Sequence, residues 1–367
     1  MKLKKALITF IILTLGATQV IAEQESNPLK ATGSLRYRHE LFLEEDSDSR
    51  NRHRFQAKLG IAAEVNPSAR VGLELASGGR TARSANQSLD GGFSKKAFMI
   101  NQAYFAWSPK AVAGMTLQGG KFKGPFAKVS KTELVWDGDF VPEGILLKYD
   151  REYPSKVHAF MNIAGLWVEE HGGDTDDLLM FAGQGGAKMP VGAMSIKAAA
   201  GVYHYLNGQG HGPLTDGFHG NSTMPVVDGP DTSLGYAEDF TPVEAMLELT
   251  MKPGGVPLAL FGHYVQNVMA DNNNMGWLAG IAVGKAKKPG TIDFRAYYRV
   301  LEQDAVFDVY ADSDFGGGGT DNSGVELNMG IGIAKNTKGK ISYFINQAGI
   351  DNGTSYQRGQ FDVKFSF

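Results

Sequence analysis

The chain has 367 residues, 36 of them Lys or Arg and 39 Asp or Glu, for a net charge of -3. It has no cysteine and 47 glycines, roughly twice the usual ~7%, without a Gly-X-Y period or a Pro-rich tract. That composition excludes a small disulfide scaffold, a collagen-like or low-complexity fibre and a basic nucleic-acid binder, and it favours a large β-protein with many turns.

Lys2, Lys4 and Lys5 precede an apolar run over 6–15, and Val20-Ile21-Ala22 offers a small-residue cleavage site. This predicts a secretory signal peptide at 1–22 and one mature domain at 23–367. Loss of the three leader lysines takes the charge from -3 to -6. No stretch reaches the roughly 18 apolar residues that a membrane helix needs.

Along the mature chain apolar and polar residues alternate with period two, the mark of strands with one apolar and one polar face. Leu35, Tyr37, Leu41 and Leu43 alternate with Arg36, Arg38 and Glu40; Phe55, Ala57, Leu59, Ile61, Ala63 and Val65 oppose Arg54, Gln56, Lys58 and Glu64. The pattern returns from Val243 to Met251, from Ile292 to Val300 and from Val325 to Ile333, and closes the chain with Phe361, Val363, Phe365 and Phe367 against Asp362, Lys364 and Ser366. It blurs from Phe98 to Ser108 and from Leu178 to Gly186.

Short turns rich in Pro, Gly or Asn, such as Asn66-Pro67-Ser68, Ser108-Pro109-Lys110, Pro190-Val191-Gly192 and Asn336-Thr337-Lys338-Gly339, alternate with long polar loops. Seven such turns and eight such loops predict a sixteen-stranded antiparallel all-β transmembrane barrel. Its charged face would line water, its short turns lie in the periplasm and its long loops lie outside. A soluble sandwich of this size would leave Arg, Lys and Glu on central strands with no water to meet, and its open edges would need cover.

A barrel of sixteen strands encloses a wide aqueous space unless a loop narrows it. The third long loop, over 124–144, has the composition for that task. Trp136, Phe140 and Val141 can anchor it on the inner wall, and Asp137, Asp139 and Glu143 offer carboxylates to water. The facing basic candidates are Arg36, Arg38, Arg54, Lys58, Arg70, Arg295 and Arg299. Opposed acidic and basic walls give a transverse field that favours small polar solutes. The alternative is that these arginines brace the wall through Glu40, Glu64 and Glu74.

The segment TELVWDGDFVPEG, residues 132–144, resembles the Trp-Asp-Gly-Asp-x-x-Pro-Glu-Gly stretch of the "putative porin" family of Gram-negative outer membranes. The closing FDVKFSF resembles the terminal signal, ending here at Phe367, that the barrel-assembly machinery reads. The resemblance implies a diffusion channel for small hydrophilic solutes in the outer membrane, without cofactor or chemistry. Its partners would be the lipid bilayer, lipopolysaccharide and further copies in a homotrimer.

Competing readings are a channel selective for anions or an oligosaccharide, and an adhesin or receptor that uses the 207–240 loop. His219 and Ser222 share a Gly-rich loop with no rigid support for a nucleophile-base pair. Asp174, Asp176 and Asp177 read as a solvated acidic run rather than a protease dyad. No zinc-type His spacing occurs, and the acidic loops over 271–274 and 311–324 lack the ligand spacing of a calcium loop. No metal ligand is assigned.

Overall fold

A computed structural model describes residues 29–45, 47–82, 84–172 and 177–367. The expected signal peptide, Asp174 and Asp176 lie outside the described residues. Sixteen long strands form one antiparallel sheet: β1 (Leu29–Glu44), β2 (Arg50–Asn66), β3 (Ala69–Ser77), β4 (Phe98–Trp107), β5 (Met115–Lys121), β6 (Glu143–Glu152), β7 (His158–Glu169), β8 (Leu178–Val191), β9 (Met194–Leu206), β10 (Pro242–Met251), β11 (Leu258–Asn267), β12 (Met275–Gly284), β13 (Ile292–Leu301), β14 (Asn322–Ala334), β15 (Thr337–Ala348) and β16 (Thr354–Ser366). Each strand pairs with its neighbours in sequence, and β1 pairs with β16 from Ser34↔Ser366 to Glu44↔Tyr356. The sheet is therefore a closed barrel whose backbone groups are satisfied around its circumference, the one sheet form that lipid tolerates.

The two faces are reversed relative to a soluble protein. Leu59 and Ile61 are each 50% exposed, and Leu35, Tyr37, Leu73, Phe105, Ile331 and Phe365 also point outward, whereas Arg38, Glu40, Gln56, Glu244 and Glu326 are buried inside. An exposed apolar belt of this extent marks a lipid-facing surface. At the closure, the Phe367 ring covers Gly33, and the two residues exchange backbone hydrogen bonds of 2.9 Å in each direction.

The loops at the far end from the termini are long: L2 (78–97), L3 (122–142), L4 (170–177), L5 (207–241), L6 (268–274) and L7 (302–321) among them. L5 carries a short hairpin of Thr223–Asp228 and Asp231–Tyr236, and L2 adds the two residues Gln87–Ser88 to the edge of β2. Two expected turns are shorter than the breakers suggested. Pro190 and Val191 end β8 and Thr337 begins β15, leaving Gly192 and Asn336, both at positive φ, to reverse the chain.

The expectation of a polar inner face throughout is corrected. Phe160, Ala164 and Leu166 of β7, Leu178, Met180 and Ala182 of β8, and Tyr203 and Tyr205 of β9 point inward. They meet Phe126, Val135, Trp136 and Phe140 of L3, Tyr236 and Phe240 of L5, and Phe307, Val309 and Phe315 of L7. The inner wall of β7–β9 is therefore covered by folded loops with an apolar core between them, while the wall formed by β1–β3 and β14–β16 keeps charged and amide side chains, interrupted by Phe344 of β15 against Phe315.

Candidate pore constriction

L3 enters the lumen on a paired stem: Phe122 N–H donates to Pro142 O (3.0 Å) and Gly124 N–H to Phe140 O (3.0 Å). Beyond the stem an aromatic stack fixes its course. Trp136 stacks on Phe126 (4.8 Å between centroids) and Phe140 (4.6 Å), and meets the Tyr203 ring of the wall edge-on at 4.7 Å. Polar wall groups then read the loop backbone. Gln184 accepts from Ala127 N–H (2.7 Å) and donates to Ala127 O (3.1 Å), Asn162 donates to Pro125 O (3.1 Å), and Glu248 accepts from Ser130 N–H (2.6 Å) and hydroxyl (2.7 Å). Each bond satisfies a partly buried polar group of the loop and fixes its position on the wall.

The water-facing edge of L3 carries Asp139. Its carboxylate accepts from Lys58 Nζ (3.0 Å) and Gln56 Nε2 (3.1 Å) of β2 and from Ala85 N–H of L2 (3.2 Å). L2 is thereby drawn over the mouth, where Asn86 accepts from Arg36 through its side chain (2.5 Å) and from Arg54 through its backbone (3.2 Å). L7 closes the ring. Ser313 N–H donates to Asp137 Oδ2 (3.1 Å), Asp137 N–H to Tyr310 O (2.6 Å), and Asp314 pairs with Arg38 (3.0 Å) and Arg358 (2.9 Å). Asp314 and Ser313 stand between a cavity of about 480 Å³ towards the turns and one of about 1010 Å³ towards the loops, and line both.

The loop carboxylates are tuned in opposite directions. Burial raises the Asp137 carboxyl well above its usual range, aided by Glu133, Asp139 and Asp312; burial and Glu133 likewise push Asp312 to about 7, against Arg299. Glu133, Asp137 and Asp312 present carboxylate oxygens within 4.8 Å of one another, which makes full ionisation of all three costly. Burial opposes ionisation of Asp139 too, but Lys58 outweighs it and holds the group below its usual range, and Arg358 and Arg38 do the same for Asp314.

The expected site residues thus divide. Asp139, Lys58, Arg36 and Arg54 come together at the ring, with Trp136 and Phe140 packed behind them. Asp137 is 7% exposed, its oxygens accepting from the backbone of Asp139 (2.6 Å) and Ser313, so it stitches loops together rather than facing water. Glu143 begins β6 instead of sitting on L3, and its exposed carboxylate pairs with Lys121 (2.8 Å) because the strand starts one residue before Gly144. At Gly144, φ is +149° and an added Cβ would lie 2.2 Å from Gly165 O, so that entry requires glycine.

Arg299 is corrected from pore lining to brace. Fully buried, it donates to Glu133 O (3.2 Å), Gly319 O (3.2 Å) and Asn322 Oδ1 (2.9 Å), joining L3 to L7. Arg38 is nearly as buried, held in a two-pronged pair with Asp362 (2.7 and 2.8 Å). Arg295 spans Glu326 (3.0 Å) and the Ser130 and Lys131 carbonyls. Arg70 lies exposed at the turn end of β3, outside the ring. Asn86, Asp312 and Asp314 complete the arrangement although sequence reasoning missed them. For L7 a signal existed, since AVFDVYADSDF mixes aromatics and acids as L3 does.

Known proteins share this fold. The family model described as "Putative porin" matches residues 17–228 and 231–367. Similar solved structures include OprB of Pseudomonas putida (12% identity, TM-score 0.60, 93% of this chain and 94% of that one) and OmpF of Salmonella typhi in complex with daunomycin (11%, 0.54, 92% and 97%). OmpT of Vibrio cholerae in its trimer form is a third (13%, 0.52, 93% and 100%). At these identities the likeness is one of fold. No curated protein matches the chain. With a model match over nearly its whole length and a closed, inside-out sixteen-stranded barrel, the chain belongs to the putative porin family and is an outer-membrane channel rather than an enzyme.

Proposed function

We propose that the protein passes small hydrophilic solutes and ions down their gradients through a passage bounded by β1, β2, L2, L3 and L7. The observation that carries this reading is the junction of two cavities at Ser313 and Asp314, with Asp139, Lys58 and Arg36 lining the turn-side cavity and Arg54 the loop-side one. The Lys58–Asp139 pair is about one-fifth exposed, so solute and water compete for it, whereas the Arg38–Asp362 pair is about one-twentieth exposed and serves as bracing. Export through a cleaved signal peptide, folding guided by Phe367, contact with lipopolysaccharide and trimer formation accompany this reading; the trimeric form of the Vibrio OmpT structure supports the last of these.

The test is swelling of liposomes carrying the refolded protein in sugars of rising size. Pentoses and hexoses should enter quickly and larger oligosaccharides slowly, whereas equal exclusion of all sizes would reject the diffusion channel. Selectivity for anions is the second reading, favoured by Arg52, Arg54 and Arg358 around the loop-side cavity and Arg36 in the turn-side one. The receptor alternative is weakened because L5 commits Tyr236 and Phe240 to the lumenal core.

A further inference from the structure

Along the sequence His171 and His211 are forty positions apart and form no metal signature, yet the fold brings them together at the outer mouth. Glu169 ends β7 beside a bulge at Trp167/Glu169, which re-aims its side chain. His171 follows in L4, its backbone N–H donating to Asp177 Oδ1 (3.0 Å). His211 belongs to L5, where its carbonyl accepts from Tyr236 N–H (2.9 Å) and Gly210 N–H donates to Tyr236 O (2.8 Å). One donor atom from each of the three side chains lies within 4.8 Å of the other two. Asn207 of L5 also donates to Asp177 O of L4 (2.9 Å), so the two loops are already in register.

The His211 ring shows what the arrangement lacks. Its Nδ1 donates to Gly212 O (2.8 Å), which in the neutral ring leaves the lone pair on Nε2. That Nε2 is buried without a hydrogen bond, 3.5 Å from Glu169 Oε2, on a side chain only 11% exposed. An imidazole nitrogen facing a carboxylate is a place for a shared cation, either the proton of an imidazolium or a metal ion. A histidine whose other nitrogen donates to a carbonyl is also the usual form of a metal ligand. Two imidazoles and one carboxylate form a set suited to zinc and similar borderline ions rather than to magnesium or calcium. Zinc ligands stand roughly 3.3 Å apart at tetrahedral bond lengths of about 2.0–2.1 Å.

We propose that Glu169, His171 and His211 bind one divalent transition-metal ion of the zinc class at the external mouth, clasping L4 to L5. The test is calorimetric titration of zinc chloride into the full refolded chain in detergent, in chelator-treated buffer near neutral pH. One ion should bind per chain, excess magnesium should not displace it, and His211→Ala, His171→Ala and Glu169→Gln should each weaken binding by roughly tenfold or more. Heat-modifiable gel mobility establishes that each variant still forms the barrel. Absence of saturable binding, or binding unchanged in both histidine variants, overturns the proposal. The readout does not depend on conduction, so a barrel that binds zinc but passes no solute would reject the channel reading alone.

Discussion

Asp139 is where three segments meet, and its substitution separates charge from support. Asp139→Asn removes one negative charge from the ring and weakens its hold on Lys58. The reversal potential under a salt gradient should move in the anion-selective direction, and Lys58→Met should move it the opposite way; shifts of the same sign for both would remove the ring from the conduction path. Asp312 supplies a pH dependence. Burial and Glu133 push its carboxyl up to about 7 from an ordinary value of 3.8, and it faces Glu133, Asp137, Arg299, Glu326 and Asp314. Between those values the folded chain holds a proton that the unfolded chain has lost, so the L3–L7 contact is strongest in acid and weakens as pH rises through about 7. Acidification from pH ~8 to pH ~6 should therefore make the channel less cation-preferring, and Asp312→Asn should reduce that step, with the neighbouring Asp137, also raised, sharing it. A step of undiminished size in the variant would place the titrating group elsewhere.

At the scale of the element, L3 is held by packing more than by charge. Trp136 is 3% exposed among Phe126, Phe140, Tyr203 and Tyr310, so Trp136→Ala should cost about 3–5 kcal/mol of local stability. Because the barrel wall closes without the loop, that loss should appear as faster amide exchange over 122–142 and noisier conductance rather than as unfolding. Unchanged exchange would show that the wall hydrogen bonds suffice. The same packing explains what the sequence concealed. Leu178, Met180 and Ala182 point into the L3 core while Phe181 faces outward, so β8 is apolar on both sides and shows no period of two. In β4 the period breaks because Asn101 and Gln102 form a bulge opposite Glu74, which both amides bond at 2.6 and 2.9 Å, shifting the outward set from Phe98 and Ile100 to Ala103, Phe105 and Trp107. β1, β2 and β13, polar inside and apolar outside, were legible directly. The ring was half legible: Lys58 carries charge at the inward phase of β2 and Asp139 belongs to the acidic run of the third loop, whereas Asp314 depends on how a Gly-rich loop folds back, which no local pattern encodes.

Across the whole molecule, closure between β1 and β16 and the outward apolar belt make a barrel that needs no disulfide. Its strength lies in the continuous hydrogen-bonded ladder, so the refolded protein should resist detergent at room temperature and shift in gel mobility only after boiling. The folded loops divide the lumen into an apolar side under L3, L5 and L7 and a polar side along β1, β2 and β14–β16, and conduction requires water to fill the second. Single-channel recording of the refolded chain in a planar bilayer tests this most directly. Discrete, steady and ohmic steps are the predicted result; a barrel shown by its heat-modifiable mobility to be correctly closed, yet silent in the bilayer, would contradict it.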